Sequence, residues 1–148
     1  MSAIDRVSNR AWYCFDYFHF QAPKTPHEYA TDINAIHDLT SECFSALQKR
    51  LEAYFGAKGK LEKVRKHGMR VSEFESRIGT LERELTTRIF KLTMDMGEKL
   101  HIQGCLHTIA AISDATEDAA GQLQWVNIKS IIQAHEEQRV KATSSEMA

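Results

Sequence analysis

Three features of this 148-residue sequence predict an all-α fold. Apolar residues recur at three- and four-residue steps over most of the chain, which is the period of one face of an α-helix. No segment alternates apolar and polar residues as a half-buried strand would, and no hairpin dipeptide such as Asn-Gly occurs. The only two prolines are Pro23 and Pro26, so the chain beyond them lacks the residue that most strongly breaks helices.

The composition indicates a single domain of ordinary globular character. Hydrophobic residues make up 43% and charged residues 26% of the chain, and 19 Lys plus Arg are balanced by 20 Asp plus Glu. Without a basic excess we expect no nucleic-acid partner. The three cysteines are far apart in the sequence, which favours a reducing compartment over a disulfide framework. With no secretory signal and no run of about 20 apolar residues, we expect a cytoplasmic protein without an integral membrane segment.

The N-terminal segment is unusually aromatic. Six aromatic side chains fall within nine residues, just before the two prolines: Trp12, Tyr13, Phe15, Tyr17, Phe18 and Phe20. We therefore treat residues 1–26 as an aromatic arm and linker. A short helix or an extended arm that packs on the body of the protein, or across a dimer, would cover these rings; a ligand platform is the alternative.

Three long helices are predicted after residue 26. The first has its apolar face at Ile33, Ile36, Leu39, Cys43, Leu47, Leu51 and Tyr54, and it ends at the glycines Gly56 and Gly59. The second extends over residues 64–92, with Gly68 and Gly79 as places where it could kink. A turn at 94–97 leads into the third, over residues 102–123.

The third helix carries small residues on its core face, which would let neighbouring helices approach closely. Residues 125–132 either extend it or form a final short helix, and residues 136–148 are predicted to be a frayed polar tail. Residues 27–135 are thus the bundle domain. We expect an antiparallel bundle of three long helices, completed by dimerisation because three helices leave one flank exposed.

The acidic stretch at 113–118 is the candidate site. Asp114 and Asp118 are four residues apart, so a helix places both on one face, with Glu117 beside them. Such oxygens suit a hard cation if the second helix adds glutamates. The alternative is a solvated face that pairs with Arg77 or Arg88.

The third helix contains a second candidate metal site. His101 and Cys105 are also four residues apart, which would suit a soft metal.

No P-loop, Gly-x-Ser-x-Gly or His-Glu-x-x-His motif is present, and no catalytic residue is predicted. We therefore expect a protein that is not an enzyme. The enzymatic alternative is a metal-assisted phosphohydrolase in which Asp114 and Asp118 hold a metal that activates water.

Two segments resemble a known family. Residues 71–90, VSEFESRIGTLERELTTRIF, and residues 112–123, ISDATEDAAGQL, are similar to the closing helical hairpin of the PhoU-like proteins of domain of unknown function forty-seven. The similarity includes residues 47–55, LQKRLEAYF, and extends over roughly residues 28–126. This resemblance implies a helical bundle associated with inorganic phosphate transporters.

The resemblance also implies a metal site, since family members bind iron, zinc or magnesium through Glu/Asp-x-x-x-Asp signatures on neighbouring helices. The second helix matches at Glu75 but has Gly79 where the family has an acid. The third helix matches at Asp114 and Glu117 and adds Asp118.

The third helix also departs from the family, with Ala111 in place of another carboxylate. The predicted ligands of a divalent metal or iron, forming at most half of the family's site, are Asp114, Glu117, Asp118 and Glu75.

Family members have about two such hairpins, and this sequence resembles the second. We expect a homodimer to replace the other hairpin, with the aromatic arm covering the seam. The implied function is a non-enzymatic accessory or regulator of phosphate uptake, peripheral to the membrane through its partner, an inorganic phosphate transporter or a phosphate-signalling protein. The alternative is a purely structural interaction module without metal.

Overall fold

The computed structural model describes the backbone of residues 2–56 and 61–146, without the side chains of residues 127 and 130–146. Within these ranges the chain is helical and contains no β-strand. The elements are α1 (Ala3–Gln21), a 3₁₀ turn (His27–Tyr29), α2 (Ala30–Phe55), α3 (Leu61–Phe90) and α4 (Met96–Glu146). The predicted all-α class is confirmed.

The aromatic arm is helix α1, which packs along α4. Its first turn is fixed by a capping box, because the Ser2 hydroxyl accepts from the Asp5 amide at 3.1 Å and the Asp5 carboxylate accepts from the Ser2 amide at 2.8 Å. It ends at Ala22, whose φ of 39° is left-handed. The described chain therefore has four helices where the sequence predicted three long ones, since this arm is itself a 19-residue helix.

Helices α2 and α3 form the predicted antiparallel hairpin. Their register is visible in three contacts: Asp32 with Arg88, the Cys43 thiol with the Val71 carbonyl at 3.7 Å, and Arg50 against Gly68.

Helix α3 remains α-helical through both of its interior glycines, so neither interrupts it as the sequence had suggested. Of the two glycines predicted to end the first helix, Gly56 is its C-cap, whereas Gly59 lies outside the described residues.

Helix α4 is longer than predicted. The turn lies at 91–95 rather than 94–97, and Asp95 begins the helix by accepting from the Gly97 amide at 2.7 Å. Residues 125–132 extend the helix, which is one of the two predicted forms. It continues to Glu146, through residues predicted to be frayed, while residues 147–148 lie outside the described part.

Helix α4 is also the centre of the packing, since α1, α2 and α3 all contact it. Its buried side chains are mostly small, as predicted: Ala110, Ala111, Ala115, Ala119 and Ala120. The buried hydroxyls between them bond to their own helix, with Thr108 donating to Cys105 O at 2.8 Å and Thr116 donating to Ile112 O at 2.7 Å. Polar residues on this face therefore bury without needing a partner from another helix.

Large apolar side chains from α2 and α3 complete the core. Those that are essentially inaccessible to solvent are Ile36, Leu47, Val71, Ile78, Leu85 and Ile89. None of the described helices has a stretch apolar enough, over a sufficient length, to cross a membrane.

We expect Ile78→Ala to lower the free energy of unfolding by about 2–5 kcal/mol, because it leaves a cavity in the core. Leu100→Ala is the control, since Leu100 is 53% exposed and its truncation should change stability by less than about 0.5 kcal/mol. Urea denaturation of both variants measures the difference. Equal destabilisation would contradict the described core.

Candidate functional site

The acidic residues of α4 lie beside α1, which runs antiparallel to it. The Arg6 guanidinium donates to the Asp118 carboxylate at 3.2 Å, and the Tyr17 hydroxyl donates to the His101 carbonyl at 3.2 Å. One pairing is near the start of α1 and the other near its end, so these two contacts define the register. The sequence did not predict that α1 would supply the partner of Asp118.

Asp114 lies one turn from Asp118 and is likewise near a cation of α1. Partial burial raises the pKa of Asp114; His107 and Arg10 lower it, whereas Asp118 and Glu117 raise it. Arg6 and Arg10 are one turn apart on α1, as Asp118 and Asp114 are on α4. Two cations of one helix thus match two carboxylates of the other.

Glu75 joins this acidic group from α3. Partial burial raises the pKa of Glu75, and Glu117 and Asp114 raise it further. The Ser76 hydroxyl, which donates to Glu75 Oε2 at 3.4 Å, and Arg83 lower it. The structure therefore brings Glu75 close enough to Asp114 and Glu117 for their charges to interact.

Helix α2 places the thiol of Cys43 near these carboxylates. Burial raises the pKa of Cys43 to about 12, with further contributions from Glu117, Glu75 and Asp114. Its thiol donates to the Val71 carbonyl at 3.7 Å. Since a thiol with such a pKa stays protonated at neutral pH, Cys43 is a packing residue at the point where three helices meet.

Among the residues that the structure describes, no three His, Cys, Asp or Glu side chains are arranged to hold a metal ion. The assignment of Asp114, Glu117, Asp118 and Glu75 as metal ligands stays a prediction. The predicted solvated-face pairing with Arg88 is wrong, since Arg88 pairs with Asp32 of α2 and lies 5.1 Å from the centre of the Tyr29 ring.

The Cys105 thiol, one member of the predicted soft-metal pair, is hydrogen-bonded within its own helix. It donates to the His101 carbonyl at 3.2 Å, and burial raises its pKa to about 11. It is therefore a protonated thiol rather than a free thiolate ligand.

Gly79 lies beside Glu75, one helical turn further along α3. A Cβ at position 79 would be 3.9 Å from Glu75 Oε1 and 3.4 Å from Arg83 Nη1, both ordinary contacts. The position therefore has room for a side chain next to the carboxylate.

A cleft of about 1460 Å³ opens between α3 and α4 next to the acidic group. Glu117 and Asp118 lie on its wall, and so does Arg50 of α2. Arg50 was not among the predicted site residues, although it lies three residues after Leu47, on the buried face of α2.

Comparison with known proteins identifies one relative. This chain is similar to a UPF0111 protein. That protein, from Thermotoga maritima, is 25% identical over 129 residues, which cover 87% of this chain and 59% of the relative. The chain thus spans less than two thirds of the relative's length, and the relative's name assigns no activity. No family model and no solved structure matches.

We expect Glu75→Gln to stabilise the protein at neutral pH. The folded-state pKa of Glu75 is raised, so ionisation costs stability as the pH rises from the unfolded value of 4.5 through the folded value. The gain in stability from Glu75→Gln should therefore be complete above this pH range and absent below it. Chemical denaturation at pH 7 and at pH 4 measures it.

Glu84→Gln is the matched control, because Glu84 is an exposed glutamate of the same helix. The electrostatic coupling of Glu75 to Asp114 and Glu117 would be contradicted if Glu75→Gln changed the stability equally at both pH values. It would also be contradicted if Glu84→Gln had the same effect as Glu75→Gln.

We expect Gly79→Asp to increase affinity for Mn²⁺ or Fe²⁺ by about tenfold or more, because it adds an oxygen ligand one turn from Glu75. Isothermal titration measures the change. Gly79→Asn has nearly the same size without the charge and is the control. If both variants bind metal no better than the original chain, these carboxylates do not form a metal site.

Proposed function

We propose that this chain is a non-enzymatic accessory or regulatory protein of inorganic phosphate transport. It binds a transporter or a phosphate-signalling protein through a helix face. The observation that carries the binding role is the exposed aromatic face of α1, made of Trp12, Tyr13, Phe15 and Phe20. The similarity to PhoU-like proteins in residues 71–90 and 112–123 supports the connection to phosphate.

The aromatic face lies on a helix that is already packed on another side. Ala3 and Val7 are buried in the core, and Phe18 packs against it, whereas Trp12 is 67% and Phe20 76% exposed. The ring centres of Trp12 and Phe15 are 5.9 Å apart, and the His19 ring lies 5.6 Å from Phe15 and 4.8 Å from Phe20, so these rings form a continuous row. Contiguous exposed apolar surface of this kind is typical of protein interaction sites.

A regulator must also respond to a signal. A metal held by the acidic group of Glu75, Asp114, Glu117 and Asp118 would change the balance of charge between α1 and α4. Because a ligand shifts a conformation only by its differential affinity, such a metal would favour a state in which Arg6 leaves Asp118. This scheme places the protein in the cytoplasm, at the membrane only through its partner.

The second candidate is a helical interaction module that uses no metal. The Arg6–Asp118 ion pair favours it, because a carboxylate already paired with a guanidinium is less available to a cation. In this case, the acidic group fixes α1 on α4 and the aromatic face alone binds the partner.

The transport role predicts that phosphate uptake depends on the aromatic face. Deletion of the gene in the source organism should change the rate of radiolabelled phosphate uptake. Complementation with Trp12→Ser/Phe15→Ser should fail, whereas Phe55→Ser should restore uptake, because Phe55 is 75% exposed but lies at the end of α2. Unchanged uptake on deletion would contradict the phosphate role, and full rescue by Trp12→Ser/Phe15→Ser would contradict the binding surface.

The homodimer is a separate prediction. Light scattering at micromolar concentration should give twice the mass of one chain, because a second copy can cover the flank that a bundle of three long helices leaves exposed. A strictly monomeric mass for the original chain would count against self-association.

A further inference from the structure

Arg50 is a buried cation without a partner. Its side chain belongs to α2, and the residue is only 4% exposed. Within the described part of the chain its guanidinium forms no ion pair and no hydrogen bond, and its Nε is fully enclosed. Burial lowers the pKa of Arg50, but an arginine keeps its proton at neutral pH, and an unpaired buried charge is costly.

The neighbouring helix is shaped around this guanidinium. Gly68 of α3 is buried directly against it, and a Cβ at position 68 would be 2.7 Å from Arg50 Cζ and 3.2 Å from its Nε. Any side chain at position 68 would therefore displace the guanidinium. The glycine provides the space that holds the charged group in place.

Arg50 is one of the residues that line the cleft between α3 and α4. Three more arginines line this cleft, namely Arg65, Arg70 and Arg77, against the carboxylates of Glu73, Glu117 and Asp118. Since Asp118 is paired with Arg6, the remaining charge on the cleft wall is positive.

Besides four serine and glutamine side chains, the cleft wall has large apolar residues. Leu61, Met69, Trp125 and Ile128 line it, and all four are exposed large hydrophobic residues. The volume of about 1460 Å³ is more than an inorganic anion would fill and is of the order of pockets that hold organic ligands, roughly 300–1,000 Å³.

We propose that this cleft binds an amphiphilic small molecule whose oxyanion head, a phosphate or carboxylate group, is held by the Arg50 guanidinium. The apolar body of the ligand lies against Met69 and Trp125. A guanidinium presents a planar fork of donors that matches either head group in a two-bond geometry. This site does not rest on the proposed transport role, although two of the predicted metal ligands, Glu117 and Asp118, lie on the same cleft wall.

The test uses the full chain and four probes below their micellar concentrations, by isothermal titration and thermal unfolding. Octyl phosphate and octanoate carry the two head groups, inorganic phosphate has no tail, and octyl glucoside has no charge. We expect at least one of the charged amphiphiles to bind and raise the Tm, with inorganic phosphate at least about tenfold weaker and octyl glucoside without effect. The better of the two charged probes identifies the head group.

Three variants assign the binding to Arg50. Arg50→Met keeps an unbranched side chain without charge and should weaken binding of the charged probe at least about tenfold, while the ligand-free Tm stays equal or rises. Gly68→Ala should weaken binding because it displaces the guanidinium. Gly121→Ala is the matched control, since Gly121 also lines the cleft but a Cβ there meets nothing within 4 Å.

The proposal is overturned if no probe binds the original chain, or if Arg50→Met binds the charged amphiphile as well as the original does. It is also overturned if Arg50→Met converts a dimer to a monomer, because an acidic group of a second copy would then be the partner of Arg50. If Gly68→Ala and Gly121→Ala weakened binding of the charged amphiphile equally, the loss would come from a change in the helices and not from displacement of the guanidinium.

Discussion

The structure depends on the packing around helix α4, which contacts each of the other three helices. A helix covered on several sides needs short side chains at its interfaces, and α4 has them in Ala110, Ala115 and Ala119. Its buried hydroxyls bond to its own backbone, so they make no demand on neighbouring helices. With α4 in place, the α2–α3 hairpin lies on it and α1 lies alongside. The acidic group, its arginine partners and the cleft are consequences of that arrangement.

The functional interpretation of the acidic group follows from what faces it. Asp118 is met by Arg6 of α1, and Arg10 offsets a small part of the rise that burial causes in the pKa of Asp114. The carboxylates that resemble a metal signature therefore also attach α1. Surface pairs of this kind contribute only about 0–1 kcal/mol each, so a metal or a partner could replace them at small cost. The element that such a regulator would move is α1, the helix that carries the aromatic face.

The sequence predicted α2 and α3 well because each buries one face and exposes the other, as Ile36, Val71 and Ile78 show. The length of helix α4 was underestimated because burial on several sides weakens the apolar periodicity of its sequence. The Arg6–Asp118 pair joins residues 112 positions apart, which no local pattern reveals. Arg50 was missed because a charged residue is not expected in a core, although its position three residues after Leu47 and seven after Cys43 places it on the buried face of α2.

The most direct test of this account is the placement of α1 on α4. A nitroxide at position 6, introduced as Arg6→Cys with Cys14→Ala, should broaden amide signals around residue 118 and leave those around residue 101 sharp. Those positions are 17 residues, or about 25 Å, apart along the helix. The remaining thiols, Cys43 and Cys105, are buried and have raised pKa values, so they should not be labelled. Broadening near residue 101 would contradict the described docking of α1. So would broadening that appears only when nitroxide-labelled chains are mixed with chains lacking the nitroxide, because the contact would then join two chains.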